Sequence, residues 1–173
     1  MNTLARFAAC FVLCLVAISA QADQRPNIVL IMTDDQGYGD VGVFGAADIP
    51  TPNLDHMAAE GMKFTEFYAA SPVCSPSRAA LLTGRIPQRM GINSVFFPRS
   101  FTGMPLDEIT IADILKKEGY RTGVFGKWHL GLTDAYHPLS RGFDEFYGFL
   151  GHGAHDYFDL SCKENADDFH QCI

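Results

Sequence analysis

Asn27-Ile28-Val29-Leu30-Ile31-Met32-Thr33-Asp34-Asp35 follows Pro26 as an unbroken run, wholly apolar past Asn27, and then turns abruptly acidic. Strict alternation would mark a strand with one wet face; an unbroken run marks a strand covered on both faces, as in a parallel sheet flanked by helices. Ligands of such sheets gather beyond the carboxyl ends of the strands, so Asp34 and Asp35 stand where chemistry is expected. Irregular backbone can turn two adjacent carboxylates onto one hard divalent cation such as Ca²⁺ or Mg²⁺, which takes oxygen ligands. A solvated Asp-Asp turn is the plain alternative.

Gly37-Tyr38-Gly39-Asp40-Val41-Gly42 comes next and fits G-x-G-x-x-G. A dinucleotide site needs a helix to start within the glycines, whereas this segment runs into Gly45, Pro50 and Pro52, and three nearby aspartates would repel a pyrophosphate. The stretch from Thr51 to Gly61 has proline near its start, apolar residues at helical spacing and glycine at its end, which predicts a helix. Lys63-Phe64-Thr65-Glu66-Phe67-Tyr68 alternates and predicts a strand. Residues 86–108 are rich in Pro, Gly, Phe and Arg without a period, as expected of a long surface loop. Thr110 with Asp113 forms a capping-box variant that opens a helix, and Gly119 closes it. Tyr120-Arg121-Thr122-Gly123-Val124-Phe125-Gly126 predicts a further strand, delivering Lys127-Trp128-His129 at its carboxyl end. On an extended segment Lys127 and His129 share a face; one supplies a fixed positive charge, the other a proton exchanged near neutral pH. The alternation of strand and helix implies crossover connections and a parallel sheet.

Between these elements lies Ser71-Pro72-Val73-Cys74-Ser75-Pro76-Ser77-Arg78-Ala79-Ala80-Leu81-Leu82-Thr83-Gly84-Arg85. Proline is favoured at the first helical position, so Cys74 is expected just ahead of a helix N-terminus, with Arg78 about one turn inside and Gly84 as the stop. Backbone N–H groups and the helix dipole make that end a place for negative charge. A lone cysteine is otherwise most simply a small buried hydrophobe.

Residues 1–22 carry Arg6, an apolar run and Ala20-Gln21-Ala22 ahead of Asp23, the pattern of a secretory signal peptide cut after Ala22. Its apolar run is too short for a confident membrane span, so no stable span is expected after its removal. What remains, 23–173, is enough for one modest domain and carries 12 basic against 20 acidic residues, a net of −8. Nucleic acid is thereby an unfavourable partner; an anionic substrate is compatible only where a cation or a local basic cluster overrides the field. Of five cysteines, Cys74, Cys162 and Cys172 survive the cut, and in an exported protein the last two can pair across a short loop. The tail from Arg141 through Tyr147, His152, His155 and Asp156 is aromatic and glycine-rich with little period; His155 beside Asp156 is either a pocket residue or a structural one.

In combination these stretches resemble the sulfatase family. Cys74-Ser75-Pro76-Ser77-Arg78 followed by Leu82-Thr83-Gly84-Arg85 resembles its C-x-P-x-R signature, and the segment from Asn27 through Asp40 resembles its first strand and metal loop. Thr51-Pro52-Asn53-Leu54-Asp55 and Gly126-Lys127-Trp128-His129-Leu130-Gly131 resemble two further signatures, so ordered matches run from about residue 26 to 156. The resemblance implies an α/β, alkaline-phosphatase-like fold with a mixed, mostly parallel sheet flanked by helices. It also implies hydrolysis of sulfate esters, an exported location (periplasmic, extracellular or lysosomal), and oxidation of Cys74 to formylglycine by the formylglycine-generating enzyme. Asp34, Asp35 and the modified Cys74 would bind a divalent metal, most simply Ca²⁺; Arg78 and Lys127 would hold formylglycine and sulfate, and His129 would handle a proton. The substrate would be a small-molecule or glycan sulfate ester. Family members are several hundred residues long and complete the metal shell and sulfate pocket with later residues, so 23–173 is expected to be the N-terminal portion of a truncated catalytic domain, its sheet and fold incomplete. A phosphodiester or phosphonate hydrolase of the same superfamily and a non-catalytic fragment are the alternatives.

Overall fold

The computed structural model describes residues 25–97 and 100–151. The signal segment 1–22, His152, His155, Asp156 and the Cys162–Cys172 pairing lie outside the described residues. Among the described residues the order is a 3-10 turn Tyr38–Asp40, a second at Gly42–Phe44, helix α1 Pro52–Glu60, helix α2 Cys74–Thr83, a 3-10 turn Pro87–Met90, helix α3 Ile111–Lys117, strand β1 Gly123–Lys127, 3-10 turns Asp134–Tyr136 and Pro138–Ser140, and strand β2 Glu145–Phe149. No described helix is long and apolar enough to cross a membrane.

β1 and β2 run parallel, with Phe125 opposite Tyr147 and Gly126 opposite Gly148. Their backbones come so close that a Cβ on Gly148 would overlap the Gly126 carbonyl oxygen. Glycine at 148 is therefore a packing requirement here, whereas Gly126 has open space around it and is favoured by its positive φ of 103°. Hydrogen bonds carry the ladder past the strand ends, from Trp128 N–H to Phe149 O (3.0 Å) and His129 N–H to Leu150 O (2.9 Å). On one face Val124 and Phe146 pack on a core of Ala79, Met90, Ile92, Met104, Ala112, Trp128, Leu130, Phe143 and Leu150. On the other, Phe125 and Tyr147 are 70% and 67% exposed.

Helix α3 begins as its sequence dictates: Thr110 Oγ1 accepts from Asp113 N–H at 3.1 Å and the Asp113 carboxylate accepts from Thr110 N–H at 2.9 Å. The buried Arg141 guanidinium donates to the carbonyls of Met104 (3.1 Å), Pro105 (3.0 Å) and Glu108 (2.9 Å), tying the long 86–108 segment to the chain ahead of β2. Three backbone carbonyls with no strand of their own are satisfied by one side chain.

Four local expectations are corrected. The 27–32 run pairs with no strand among the described residues, and it is exposed, Val29 at 81%. A doubly covered strand exists only when neighbours flank it; here Tyr120 O–H to Pro26 O (3.1 Å) ties down its start. The 63–68 stretch bends and forms no strand, for the same want of a partner. The 86–108 segment is not a surface loop throughout, since Met90, Ile92 and Met104 are buried in the core. β2 lies within the tail expected to have little period; Glu145-Phe146-Tyr147-Gly148-Phe149 carries no clean alternation, and its close pairing depends on Gly148 lying against the backbone of residue 126.

β2 is anchored at its start by Asp144, whose carboxylate pairs with Lys116 Nζ (2.6 Å) and accepts from Thr122 N–H (2.9 Å) and Thr122 O–H (3.0 Å). The Lys116 contact first, with the Thr122 bonds, pulls its pKa from 3.8 down to about 2. A depressed carboxyl stabilises the fold above its unfolded pKa and loses that contribution as pH falls through its folded pKa. Acid titration of the folded chain, followed by circular dichroism, is expected to include a component between about pH 4 and 2. Asp144→Asn is expected to remove that component while lowering the melting temperature at pH 7; an unchanged acid limb in the variant would assign it elsewhere.

Candidate active site

Helix α2 starts two residues earlier than the proline rule places it. Val73 is the N-cap, Cys74 is the first helical residue and Pro76 the third. Proline is tolerated throughout the first turn because its missing N–H lies where no intrahelical acceptor exists. The first intrahelical bond runs from Ser77 N–H to Val73 O (3.2 Å), so the Cys74 and Ser75 amides precede the ladder. At the other end Gly84 takes the left-handed conformation (φ 67°) and donates to Ala80 O, the expected stop. The helix buries Ser75, Pro76, Ser77, Ala79 and Ala80, small residues that let it sit close to its neighbours.

Three segments distant in sequence meet at the Cys74 end of this helix. Lys127 Nζ, delivered by the last residue of β1, lies 2.9 Å from Asp34 Oδ2 and 3.2 Å from Cys74 Sγ. Cys74 Sγ is 4.0 Å from Asp34 Oδ1. Arg78 lies one turn into α2; its Nη1 donates to the Lys127 carbonyl and its Nη2 is 3.5 Å from Asp34 Oδ1. The Arg78 side chain is only 12% exposed, and its Nε is buried without an acceptor among the described residues. Partial burial raises the Asp34 pKa, but Lys127, by hydrogen bond and charge, and then Arg78 outweigh it, so the carboxyl sits below its ordinary value. Asp34 is ionised across the neutral range and half-exposed.

Both positive-φ residues other than glycine among the described residues belong to the candidate set: Asp35 (φ 57°) and His129 (φ 58°). Left-handed backbone at non-glycine residues costs about 1 kcal/mol or more and persists where the surroundings impose it, commonly at functional sites. The turn at His129 also corrects the shared-face expectation. Lys127 reaches toward Asp34 and Cys74, whereas His129 is buried and its Nε2 lies 2.8 Å from the Phe96 carbonyl. A carbonyl only accepts, so Nε2 carries the hydrogen and the neutral ring's lone pair sits on Nδ1.

As ligands for a hard cation the donors fit in part. Asp34 and position 74 converge, and Asp35 is adjacent on a turn that departs from extended geometry. Among the described residues no group of three His, Cys, Asp or Glu side chains closes a full set. A hard divalent ion takes six to eight oxygens. Ser75, Phe96 and Trp128 also belong to the neighbourhood, and sequence reasoning passed over them. Trp128, buried between Lys127 and His129, fixes this stretch through Nε1–H to Tyr136 O (2.9 Å) and an edge contact with Phe143. Phe96 acts through its backbone, which leaves no side-chain signal.

The gathered geometry has known counterparts. The family model for sulfatases matches residues 26–167. The chain is 50% identical over 139 residues to rat (Rattus norvegicus) N-acetylgalactosamine-6-sulfatase, covering 76% of this chain and 26% of that protein. It is 52% identical over 125 residues to human (Homo sapiens) arylsulfatase G, covering 72% of this chain and 24% of that protein. It thus spans about a quarter of the length of these relatives. Among solved structures, Ps i-CgsB superposes with a TM-score of 0.74 at 43% identity, over 87% of this chain and 35% of that one. The same protein in complex with k-i-k-neocarrahexaose gives 0.72 at 50%, over 74% and 29%. The small parallel sheet flanked by helices is therefore a part of the alkaline-phosphatase-like fold of these neighbours. With a family match across most of its length and the four signature stretches in order, the chain belongs to the sulfatase family.

Proposed function

We propose that this chain supplies the nucleophile-bearing part of an enzyme that hydrolyses sulfate esters. The observation that carries the reading is the position of Lys127 Nζ, between the Asp34 carboxylate and Cys74 Sγ. A cation held against the residue that would bear the nucleophile is suited to a substrate whose reacting group is an anion. The buried Nε of Arg78 adds a donor with capacity to spare.

Oxidation of Cys74 to formylglycine would supply an aldehyde whose hydrate has two hydroxyls, one to attack sulfur and one to expel sulfate afterwards. A divalent ion, with Ca²⁺ as the natural choice for oxygen donors, would be held in part by Asp34, Asp35 and position 74, and would supply Lewis acidity. The chain's own residues have distinct tasks. Lys127 and Arg78 bind the anionic group and oppose the charge that grows in the transition state. Asp34 keeps Lys127 oriented by their 2.9 Å contact. His129, with the lone pair on Nδ1, can take or return a proton at that atom.

The uncovered apolar faces around 27–32, Phe125 and Tyr147, together with the quarter-length match, support a site and sheet completed by further polypeptide. We propose export, after removal of 1–22, and a sulfated sugar as substrate class, since one relative is named for N-acetylgalactosamine 6-sulfate and one neighbour is complexed with a neocarrahexaose. The test is a competition between matched aryl sulfate, aryl phosphate and phosphodiester substrates, using the sulfatase that carries this segment. Sulfate ester is expected to be turned over at least tenfold more efficiently; preference for the phosphodiester would replace this reading.

A further inference from the structure

The second residue of helix α2, Ser75, is fully buried next to Cys74, and its Oγ accepts a hydrogen bond from Phe96 N–H at 3.1 Å. The same Phe96 residue presents its carbonyl oxygen to His129 Nε2 at 2.8 Å. Two bonds on one peptide residue thus connect the start of the nucleophile's helix to the imidazole at the far end of β1. His129 is itself 1% exposed and held at φ 58°.

We propose that Ser75 is a positioning residue for His129, acting through the backbone of Phe96. The Phe96 carbonyl selects the tautomer of His129 by accepting from Nε2, and it can do so only while its residue stays in register with α2. The Ser75 hydroxyl fixes that register, because among the described residues Phe96 lies in a segment with no strand or helix to hold it: the 3-10 turn before it ends at Met90, and helix α3 begins at Ile111. The buried Ser75 Oγ is the acceptor that the Phe96 amide has in this irregular stretch. Removing it leaves the amide to find another partner and frees the carbonyl to swing. With that acceptor displaced the preference for the Nε2–H form weakens, so the loss of register is expected to appear as a shift of the tautomer population toward Nδ1–H.

The functional consequence rests on the sulfate-ester reading, but the device itself does not, and the experiment separates them. In the folded chain labelled with ¹⁵N-histidine, with His129 assigned from a His129→Asn variant, wild type is expected to show a single Nε2–H tautomer and slow exchange of the Phe96 amide. Ser75→Ala is expected to speed exchange at Phe96 at least tenfold and to move His129 to a mixture of tautomers. Ser75→Cys, which keeps the shape and weakens the acceptor, is expected to fall between, and serves if the alanine variant does not fold. Wild type showing the Nδ1–H tautomer or an unprotected Phe96 amide overturns the proposal, whatever the variants do. So does an unchanged tautomer in Ser75→Cys or Ser75→Ala with Phe96 exchange accelerated. If the tautomer responds as expected yet the wild-type enzyme fails to hydrolyse sulfate esters, the positioning role stands and the sulfate-ester reading falls.

Discussion

Cys74→Ser, in the sulfatase that carries this segment, is expected to lower steady-state hydrolysis by roughly 10³-fold or more while permitting one turnover per active site. A serine hydroxyl placed at the first turn of α2 still faces Lys127 and the helix amides, so its geometry for attack on sulfur survives. What it lacks is a second hydroxyl on the same carbon. The sulfate ester it forms cannot be expelled from within, and must wait for water in a site not built to activate it. Mass spectrometry of the variant after incubation with substrate is expected to find the protein one sulfate group heavier. Steady turnover by the serine variant at a rate near that of the parent would remove the need for an oxidised cysteine.

Lys127→Ala is expected to cut kcat/KM by roughly 10²–10³-fold, the usual cost of deleting one group aimed at developing charge. The effect is to be large because Lys127 does two jobs from one nitrogen: it faces the residue-74 side chain at 3.2 Å and neutralises Asp34 at 2.9 Å. Without it Asp34 retains Arg78 at 3.5 Å, a longer and poorer contact. Lys127→Arg is expected to recover little, since a planar fork cannot stand in for a compact ammonium held between two groups. Steady-state kinetics on both variants decides; full activity in either would take Lys127 out of the site.

The readable parts of this chain were those decided within a few residues. Gly84 closing α2, Thr110 with Asp113 opening α3, and the helix at Pro52–Glu60 each depend on local backbone chemistry, and each lies where its sequence places it within a residue or two. The candidate residues Asp34, Cys74, Arg78 and Lys127 were legible as charged or reactive side chains at strand and helix ends, and the fold brings them together. Pairing was not readable. The 27–32 run and β2 show both sides of this, one a strong apolar pattern with no neighbouring strand among the described residues, the other a weak pattern with a close one. His129 was found, but its orientation was not, because that depends on a positive φ and on a backbone carbonyl at Phe96, neither of which has a sequence signature.

The central claim is that Cys74 is a precursor, and its most direct test is the mass of the tryptic peptide 64–78 from protein produced with an active formylglycine-generating enzyme. A peptide about 18 Da lighter than the cysteine form is expected, as loss of the sulfur and two hydrogens and gain of an aldehyde oxygen require. A peptide that retains the full cysteine mass, and reacts as a thiol, would contradict the account.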